Sequence, residues 1–200
     1  GAIELAQILK VNDVIQTVNI SCNEITDIGG IAIASAFIPY ANPTGQPSVW
    51  NKTVWTLNLS GNKLKDDSLV ALANAAACHR DLTKIDLSYN KVGGAGCQAM
   101  MRSMQRNNFC AFNLAGNQLG DEGVSHVCEA FRRFGGKGSN ANLNFFCNDV
   151  SKGGAEAIGR LLENNDFVID VQLAWNTLGF KGTEGLVAKM VAPAKNVVRI

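Results

Sequence analysis

One pattern of apolar and polar residues recurs along most of the chain. An eight-residue frame places apolar residues first, third and eighth and an asparagine sixth, with variable residues between them. At least 27 residues separate successive asparagines, and the successive spacings are 39, 28, 27, 31 and 28 residues. A frame that repeats at this interval indicates a solenoid, in which each copy is one coil. The six copies are Val18–Ile25, Leu57–Leu64, Ile85–Val92, Phe112–Leu119, Leu143–Val150 and Val171–Leu178.

The frame predicts a short strand followed by a turn. Side chains alternate along a strand, so the first and third residues point to one side and the residue between them points to the other. The asparagine amide can both donate to and accept from backbone groups that leave the strand ladder. We therefore predict a ladder of anchor asparagines, one in each unit. They are Asn23, Asn62, Asn90, Asn117, Asn148 and Asn176.

Helical periodicity follows each frame, so strands and helices alternate. A first helix is predicted over residues 3–10, with Leu5, Ile8 and Leu9 on its buried face. Residues 39–53 form an insertion rich in Pro, Gly and Asn, in which Trp50 is expected either to pin the loop or to contact a partner. Residues 197–200 begin a seventh strand. We expect one solenoid over residues 1–200, with about six full repeats, a partial repeat at each end, and a monomeric module within a larger protein.

The frame resembles that of the leucine-rich repeat family. Residues 117–124, Asn-Gln-Leu-Gly-Asp-Glu-Gly-Val, are similar to the longer repeat of its ribonuclease-inhibitor-like subfamily. The resemblance implies the α/β class and a right-handed solenoid shaped as a horseshoe. It also implies a parallel β-sheet on the concave face and α-helices on the convex face.

Composition narrows the class of partner. The formal net charge is +1 and charged residues make up 18% of the chain, which gives no bulk electrostatic reason to bind nucleic acid or an anionic membrane. No apolar run of 18 residues is present. The six cysteines lack metal-site spacing and are predicted to be buried free thiols in a reducing compartment. The resemblance adds a cytoplasmic location, including the cytoskeletal and ciliary components found among such proteins.

The ionisable residues indicate no catalytic chemistry. His79 and His126 are expected on the surface or on a helix face. Asp66-Asp67 and Asp121-Glu122 are expected to favour the positive ends of their own helices. We find no nucleophile–base pair, no metal site and no need for a cofactor, so the chain is predicted not to be an enzyme.

The predicted concave face is the candidate binding surface. It is polar and rich in amides, and towards the C-terminal half it becomes aromatic, as protein-binding hot spots are. Phe146 and Trp175 either contact a partner or cover the loops at the strand ends. The candidate partner-binding residues are Lys84, Asp86, Tyr89, Asn113, Asn144, Phe146, Asp170, Gln172 and Trp175.

Three functions are compatible with such a module. The favoured one is a non-catalytic scaffold that binds a protein partner on the concave face and the C-terminal rim. The resemblance also raises activation of a small GTPase, as by the Ran GTPase activators built from such repeats. Those proteins use polar and basic loop residues and carry an acidic tail, whereas the loop positions here hold no arginine. Inhibition of a ribonuclease needs a strongly acidic concave face, and among the concave rows only Asp86 and Asp170 are acidic.

Overall fold

The computed structural model of the chain alternates helices and strands. It describes residues 1–39, 49–105, 111–134, 141–163, 168–190 and 197–199. Each unit contributes a strand of three to five residues and a helix of nine to fifteen. The elements are α1 Ala2–Val11, β1 Thr17–Asn19, α2 Asp27–Ser35, β2 Thr56–Asn58, α3 Asp66–Cys78, β3 Lys84–Asp86, α4 Gly94–Gln105, β4 Ala111–Asn113, α5 Gly120–Phe134, β5 Ala141–Asn144, α6 Lys152–Leu162, β6 Val168–Gln172, α7 Gly179–Met190 and β7 Val197–Arg199.

The strands are parallel and pair in sequence order. β1 to β4 form one sheet and β5 to β7 form a second. The register places equivalent frame positions side by side, so Asn19, Asn58, Asp86 and Asn113 lie in one row across the first sheet. Asn144 and Gln172 continue this row in the second sheet. The predicted parallel sheet on the concave face, with helices on the convex face, is confirmed.

The two sheets separate between β4 and β5. Among the described residues no strand pairing joins these two strands. The loops that follow them remain joined, because the Gly116 N–H donates to the Phe146 carbonyl at 2.7 Å and the Gly120 N–H to the Asn148 carbonyl at 2.9 Å. The opening therefore lies at the strands and is closed at their carboxyl ends.

A continuous apolar core lies between the strands and the helices. The apolar frame residues of the second unit, Leu57, Leu59 and Leu64, have no solvent exposure. Leu69 and Leu72 on α3 pack into the same cluster. Burying one such side chain stabilises the fold by roughly 1.5–3 kcal/mol. Frame positions also supply core residues in other units, such as Val18, Ile85 and Leu143, which explains why the pattern repeats.

The buried face of α1 differs from the predicted one. Ala6 and Leu9 are buried, whereas Ile8 is 57% exposed. Leu5 packs against the core at intermediate exposure. The prediction was wrong for Ile8 because the helix meets α2 along a narrow face, and adjacent positions on a helix point about 100° apart.

The insertion at residues 39–53 is held by a residue that the sequence analysis did not single out. Residues 40–48 lie outside the described residues. Asn51 is 1% exposed, and its side-chain amide donates to the Leu9 and Asn12 carbonyls, both at 2.9 Å. Its Oδ1 accepts from the Thr53 and Val54 N–H groups. Asn51 thus joins the end of the insertion to the end of α1, while Trp50 lies under the Lys52 ammonium at 4.3 Å.

Candidate functional site

The anchor asparagines connect neighbouring coils through their side-chain amides. Asn62 Oδ1 accepts from the Asn23 and Ile25 N–H groups at 3.0 and 2.9 Å. Its Nδ2 donates to the Ile20 carbonyl of the preceding unit and to the Leu59 carbonyl of its own. One amide therefore replaces the ladder bonds that the backbone loses where the chain turns.

The later anchors repeat this arrangement. Each reaches one unit back, since Nδ2 of the third to sixth anchors donates to Leu59, Leu87, Leu114 and Phe145 in turn. The first anchor differs, because Asn23 is exposed and donates only within its own turn, to the Ser21 carbonyl. The amides that reach back are Asn62, Asn90, Asn117, Asn148 and Asn176.

A second set of polar contacts runs along the helix starts in the opposite direction. Asp66 lies in the first turn of α3, but its Oδ1 accepts from the Gly93 N–H at the start of α4, at 2.6 Å. Asp27 likewise accepts from Ser68 Oγ of α3, at 2.5 Å. Asp121 accepts from the Ser151 N–H at 2.7 Å. The expectation that Asp66 and Asp121 act on their own helices was therefore incomplete, because each also caps the helix of the next unit.

Hydrogen bonding lowers the pKa of the Asp121 carboxyl group. Burial raises the pKa of its carboxyl group, but the Ser151 hydroxyl and the Ser151, Gly154 and Gly153 N–H groups outweigh burial and hold the pKa below its ordinary value. This carboxylate connects α5 to α6 across the junction where the strands separate. It is therefore part of what keeps the two halves together.

On the concave face, the side-chain Nδ2 groups of Asn58 and Asn144 point outward. Asn58 Oδ1 accepts from the Ser60 N–H at 2.9 Å, and Asn144 Oδ1 accepts from the Phe146 N–H at 3.1 Å. A backbone N–H can only donate, so the amide atom that faces it must be the oxygen. The Nδ2 groups of Asn58 and Asn144 consequently face away from the turn, and neither has a hydrogen-bond partner among the described residues.

A depression of about 340 Å³ lies on the concave face where the sheets separate. It brings together four predicted partner-binding residues, namely Lys84, Asp86, Asn113 and Asn144, and extends to Asn58. Asp86 accepts from the Ser88 hydroxyl at 2.6 Å and from Asn113 Nδ2 at 3.2 Å. Lys84 is exposed and forms no ion pair within the described part of the chain. The sequence predicted these residues from their types and their positions in the frame. It did not predict that β4 and β5 would separate.

The remaining predicted residues lie outside the depression. Asp170 and Gln172 are half-buried on β6 in the second sheet. Phe146 and Trp175 contact each other at the C-terminal rim, with their ring centroids 6.4 Å apart. Tyr89 forms no ring contact with them in the described structure, and its ring covers the backbone of Gly116, because a Cβ at that glycine would meet the ring at 2.6 Å.

The position before each anchor has a left-handed backbone. Its φ values lie between 51° and 66° in all six units. Two units have glycine there, which adopts this conformation without strain. Tyr89 and Trp175 adopt it with large side chains, which costs roughly 1 kcal/mol or more for each residue. As whole residues, Tyr89 and Trp175 are 60% and 81% exposed, so little burial offsets that cost.

Three of the predicted buried thiols are exposed. Cys97 and Cys128 are buried, and burial raises the pKa of each thiol to about 12. Cys22, Cys78 and Cys147 are free and exposed. Cys22 and Cys147 occupy the left-handed position before an anchor, which projects towards the rim and not into the core. Cys110 lies outside the described residues.

His79 was wrongly predicted to lie on the surface. It is 3% exposed, its Nδ1 accepts from the Leu82 N–H at 2.9 Å, and its ring packs edge-on against Phe37 with the centroids 5.7 Å apart. Its Nε2 has no hydrogen-bond partner among the described residues. Burial lowers the pKa of His79, and the Asp81 carboxylate opposes this shift only in part. The frame gave no signal of this burial, because it depends on the contact with Phe37 from the preceding unit.

A larger groove of about 640 Å³ lies on the convex face between α5 and α6. Arg132 and Arg133 line it, but both hydrogen-bond to Glu129 and hold the pKa of that carboxyl group at about 2. The single Glu129 carboxylate therefore offsets half of their combined charge within α5. In the described ranges no three His, Cys, Asp or Glu side chains cluster as a metal ion would require. No helix of these ranges has both the length and the apolar character that crossing a bilayer demands.

Comparisons with known proteins agree with this architecture. The family model described as a leucine-rich repeat matches residues 11–34, 51–73, 78–101 and 111–128. A solved structure of leiomodin-1, described as its actin-binding site 2, superposes with a TM-score of 0.50 at 16% identity. That match covers 94% of this chain and 87% of the leiomodin chain, and it concerns the fold alone.

Two curated relatives share more of the sequence. RAN GTPase-activating protein 2 of Arabidopsis thaliana is 31% identical over 136 residues, which cover 66% of this chain and 23% of that protein. The human NACHT, LRR and PYD domains-containing protein 13 is 30% identical over 119 residues, which cover 58% of this chain and 11% of that protein. The chain thus spans less than a quarter of either relative. With the frame, the family match and the stacked strand–helix coils in agreement, the chain belongs to the leucine-rich repeat family, with repeats of the ribonuclease-inhibitor-like type.

Proposed function

We propose that this chain is a non-catalytic binding module whose concave face and C-terminal rim contact a protein partner. Leucine-rich repeats characteristically mediate protein–protein interaction, and the proposal adds which surface does so here. The concave contribution is Lys84, Asp86, Asn113 and Asn144, with Asp170 and Gln172 beside them. The rim contribution is Tyr89, Phe146 and Trp175.

The observation that carries the proposal is the pair of strained, exposed aromatic residues. Glycine at Gly61 and Gly116 satisfies the same backbone position without strain. Tyr89 and Trp175 therefore cost stability at positions where glycine would do, and each exposes a large ring. Strained residues that bury little of their own surface are typical of functional sites, and tyrosine and tryptophan dominate interface hot spots.

The rigidity of the array supports the same conclusion. The strands, the anchor amides and the helix caps fix the surface before a partner arrives. A preformed surface lowers the conformational entropy that binding would otherwise cost. A standard interface needs about 800 Å² on each partner. Six strands at the usual spacing of about 4.8 Å extend for roughly 24 Å, and the unpaired junction between β4 and β5 adds to that length. The concave face and its rim are large enough for such a contact.

The test compares partner capture by rim variants and by a matched control. Immobilised wild-type protein, Phe146→Ala/Trp175→Ala and Ile28→Ala are exposed to the same cell lysate, and captured proteins are quantified by mass spectrometry. Ile28 is an exposed apolar residue at the start of α2, with 72% exposure. We expect the proteins captured by wild type to be retained by Ile28→Ala and to fall about tenfold or more with the rim variant. Equal capture by all three folded proteins would contradict the proposal.

A second candidate function is stimulation of GTP hydrolysis by a Ran-type GTPase. The identity to the Arabidopsis RAN GTPase-activating protein 2 favours it. The loop positions after the anchors weaken it, because Lys63 is engaged by Glu24 at 3.0 Å and none of these positions holds an arginine. A GTP hydrolysis assay with purified Ran decides between the two. We expect that micromolar concentrations of this protein do not accelerate GTP hydrolysis. If the wild-type protein clearly accelerates hydrolysis and Lys91→Ala does not, GTPase activation would replace the binding-module proposal.

The cysteines support a location in a reducing compartment, consistent with a cytoplasmic protein. Cys22, Cys78 and Cys147 are exposed and unpaired. Exposed thiols persist where glutathione keeps them reduced. Labelling of the protein with a thiol reagent immediately after cell lysis is expected to modify these three positions, and their oxidation in fresh lysate would argue for another compartment.

A further inference from the structure

We infer that the depression on the concave face binds an extended acidic peptide segment of the partner, with a carboxylate held by Lys84. This inference rests on the proposed function and specifies its partner at one part of the surface. The donors that line the depression without a partner in the described structure include the Lys84 ammonium and the Nδ2 groups of Asn58 and Asn144. A ligand that satisfies them must supply acceptors, which carboxylates and peptide carbonyls do.

The side-chain oxygens of Asn58, Asn144 and Asp86 are already engaged. The oxygens of Asn58 and Asn144 accept from the backbone of their own turns. Asp86 accepts from the Ser88 N–H and hydroxyl through Oδ1 and from Asn113 through Oδ2. These three bonds occupy lone pairs on both Asp86 oxygens but leave its negative charge in place. The acidic segment is therefore assigned from the unengaged donors, of which the Lys84 ammonium is the one that pairs with a carboxylate.

The dimensions indicate an extended segment. Asn58 on β2 and Asn144 on β5 are three strands apart, or at least about 14 Å at a strand spacing of about 4.8 Å. Four to five residues of extended chain cover this distance. Because β4 and β5 do not pair, the peptide lies over an opening in the sheet, beside strand edges that have no neighbouring strand there. Main-chain carbonyls of the ligand would meet the two amides, and an acidic side chain would reach Lys84.

The first experiment selects ligands without assuming an identity. A displayed library of random dodecapeptides is panned against the folded chain. We expect the selected peptides to contain Asp or Glu at a shared position about fivefold more often than the unselected library, as a hydrogen-bonded ion pair would favour. A library that yields no binders, or binders without enrichment of acidic residues, overturns the inference.

The second experiment tests the site with substitutions that preserve its turns. Asp86 shows that a carboxylate supports the same turn as asparagine, since it accepts from the Ser88 N–H at 2.9 Å. Asn58→Asp/Asn144→Asp therefore keeps the backbone contacts and replaces two outward donors by acceptors. Asn19→Asp is the matched control, because Asn19 makes the same contact with Ser21 on β1 and lies outside the depression.

We expect the affinity for a selected acidic peptide to fall about tenfold or more in Asn58→Asp/Asn144→Asp and in Lys84→Gln, and to stay within about twofold in Asn19→Asp. Thermal melting of each variant checks that the fold persists. Unchanged affinity in both site variants overturns the inference. If the Phe146→Ala/Trp175→Ala variant still loses its captured proteins in that case, the binding module stands and only the acidic-segment assignment fails.

Discussion

The solenoid has two halves, the units of β1 to β4 and the units of β5 to β7. The junction between these halves differs from the junctions between units inside each half. Inside the first sheet, β1 to β4 pair in a fixed register at every junction, with anchor amides beneath each turn. Between β4 and β5 no strand pairing is present in the described residues, yet Asn148, Gly116 and Asp121 still bond across the junction. Side-chain amides and helix caps can therefore hold coils together where the β-ladder does not.

The largest expected effect comes from removing the amide that crosses this junction. Asn148 is fully buried, so Asn148→Ala leaves the Leu114 and Phe146 carbonyls and the Leu119 N–H with fewer partners. We expect a loss of about 2–3 kcal/mol in the free energy of unfolding and separate unfolding of the two halves. Trp50 and Trp55 report on the first half and Trp175 on the second during urea unfolding.

Asn90→Ala is the matched variant within the first sheet, where Asn90 makes the same kinds of contact at a junction with paired strands. Asn90→Ala is expected to lower the free energy of unfolding about as much as Asn148→Ala does. The protein should nevertheless still unfold in one transition. If Asn148→Ala also unfolds in one transition at all tryptophans, the strand opening does not mark a weaker boundary.

The next effect concerns the helix cap at the same junction. A carboxyl group whose pKa is lower in the folded than in the unfolded state stabilises the fold above the unfolded pKa, about 3.9 for aspartate. Asp121 is such a group, so its contribution is lost as the pH falls through its folded pKa. Asp121→Ala is expected to cost about 1 kcal/mol near neutral pH and progressively less below pH 4. Asp67→Ala, an exposed acid on α3, is the control for chemical unfolding measured across this range.

A second pH effect is expected among the units of the first sheet, and it comes from a buried base. His79 has a lowered pKa, because burial disfavours its charged form. Below the unfolded pKa of about 6.5 the unfolded chain binds a proton that the folded chain does not, so stability falls as the pH falls. The fluorescence of Trp50 and Trp55 is expected to show this loss between neutral and mildly acidic pH. His79→Asn should flatten the profile, and His126→Gln should leave it unchanged.

The smallest expected effect is a gain. Trp175→Gly relieves a left-handed tryptophan that is 81% exposed as a whole residue, and we expect the free energy of unfolding to stay the same or rise by about 1 kcal/mol. Chemical unfolding measures it, with Ile28→Ala as the neutral reference. A clear fall in stability would show that the ring covers the loops at the strand ends, which was the alternative interpretation of the sequence.

The sequence predicted the features that depend on alternation of apolar and polar residues along a strand. It did not predict contacts outside this pattern between residues of different coils. The frame predicted the strands, because inward residues such as Leu57 and Leu59 must alternate with an outward Asn58. The contact from Asp66 to Gly93 could not be predicted in this way, since it depends on how far one helix is rotated against the next. The same holds for Asn51, which joins groups about 40 residues apart.

The opening between the sheets was likewise not predicted, although the sequence changes at that place. The spacing from Asn117 to Asn148 is 31 residues, against 27 or 28 for the other units outside the insertion, and α5 is the longest helix. The longer unit and the absence of pairing among the described strands therefore occur at the same place in the array. The burial of His79 also depended on packing between layers, which no single-residue pattern encodes.

The two sets of side-chain contacts give the array a direction. Anchor amides reach towards the N-terminal neighbour, as Asn90 does to Leu59, and helix-start acids reach towards the C-terminal neighbour, as Asp27 does to Ser68. A coil that has both an anchor amide and a helix-start acid, such as the one with Asn62 and Asp66, therefore supplies one group to each neighbour. Excising a single coil would bring together two neighbours whose complementary groups were adapted to a different surface. Gain or loss of coils during evolution should consequently favour blocks that begin or end where the helix-start acid is missing, as at Gly94 and Lys152.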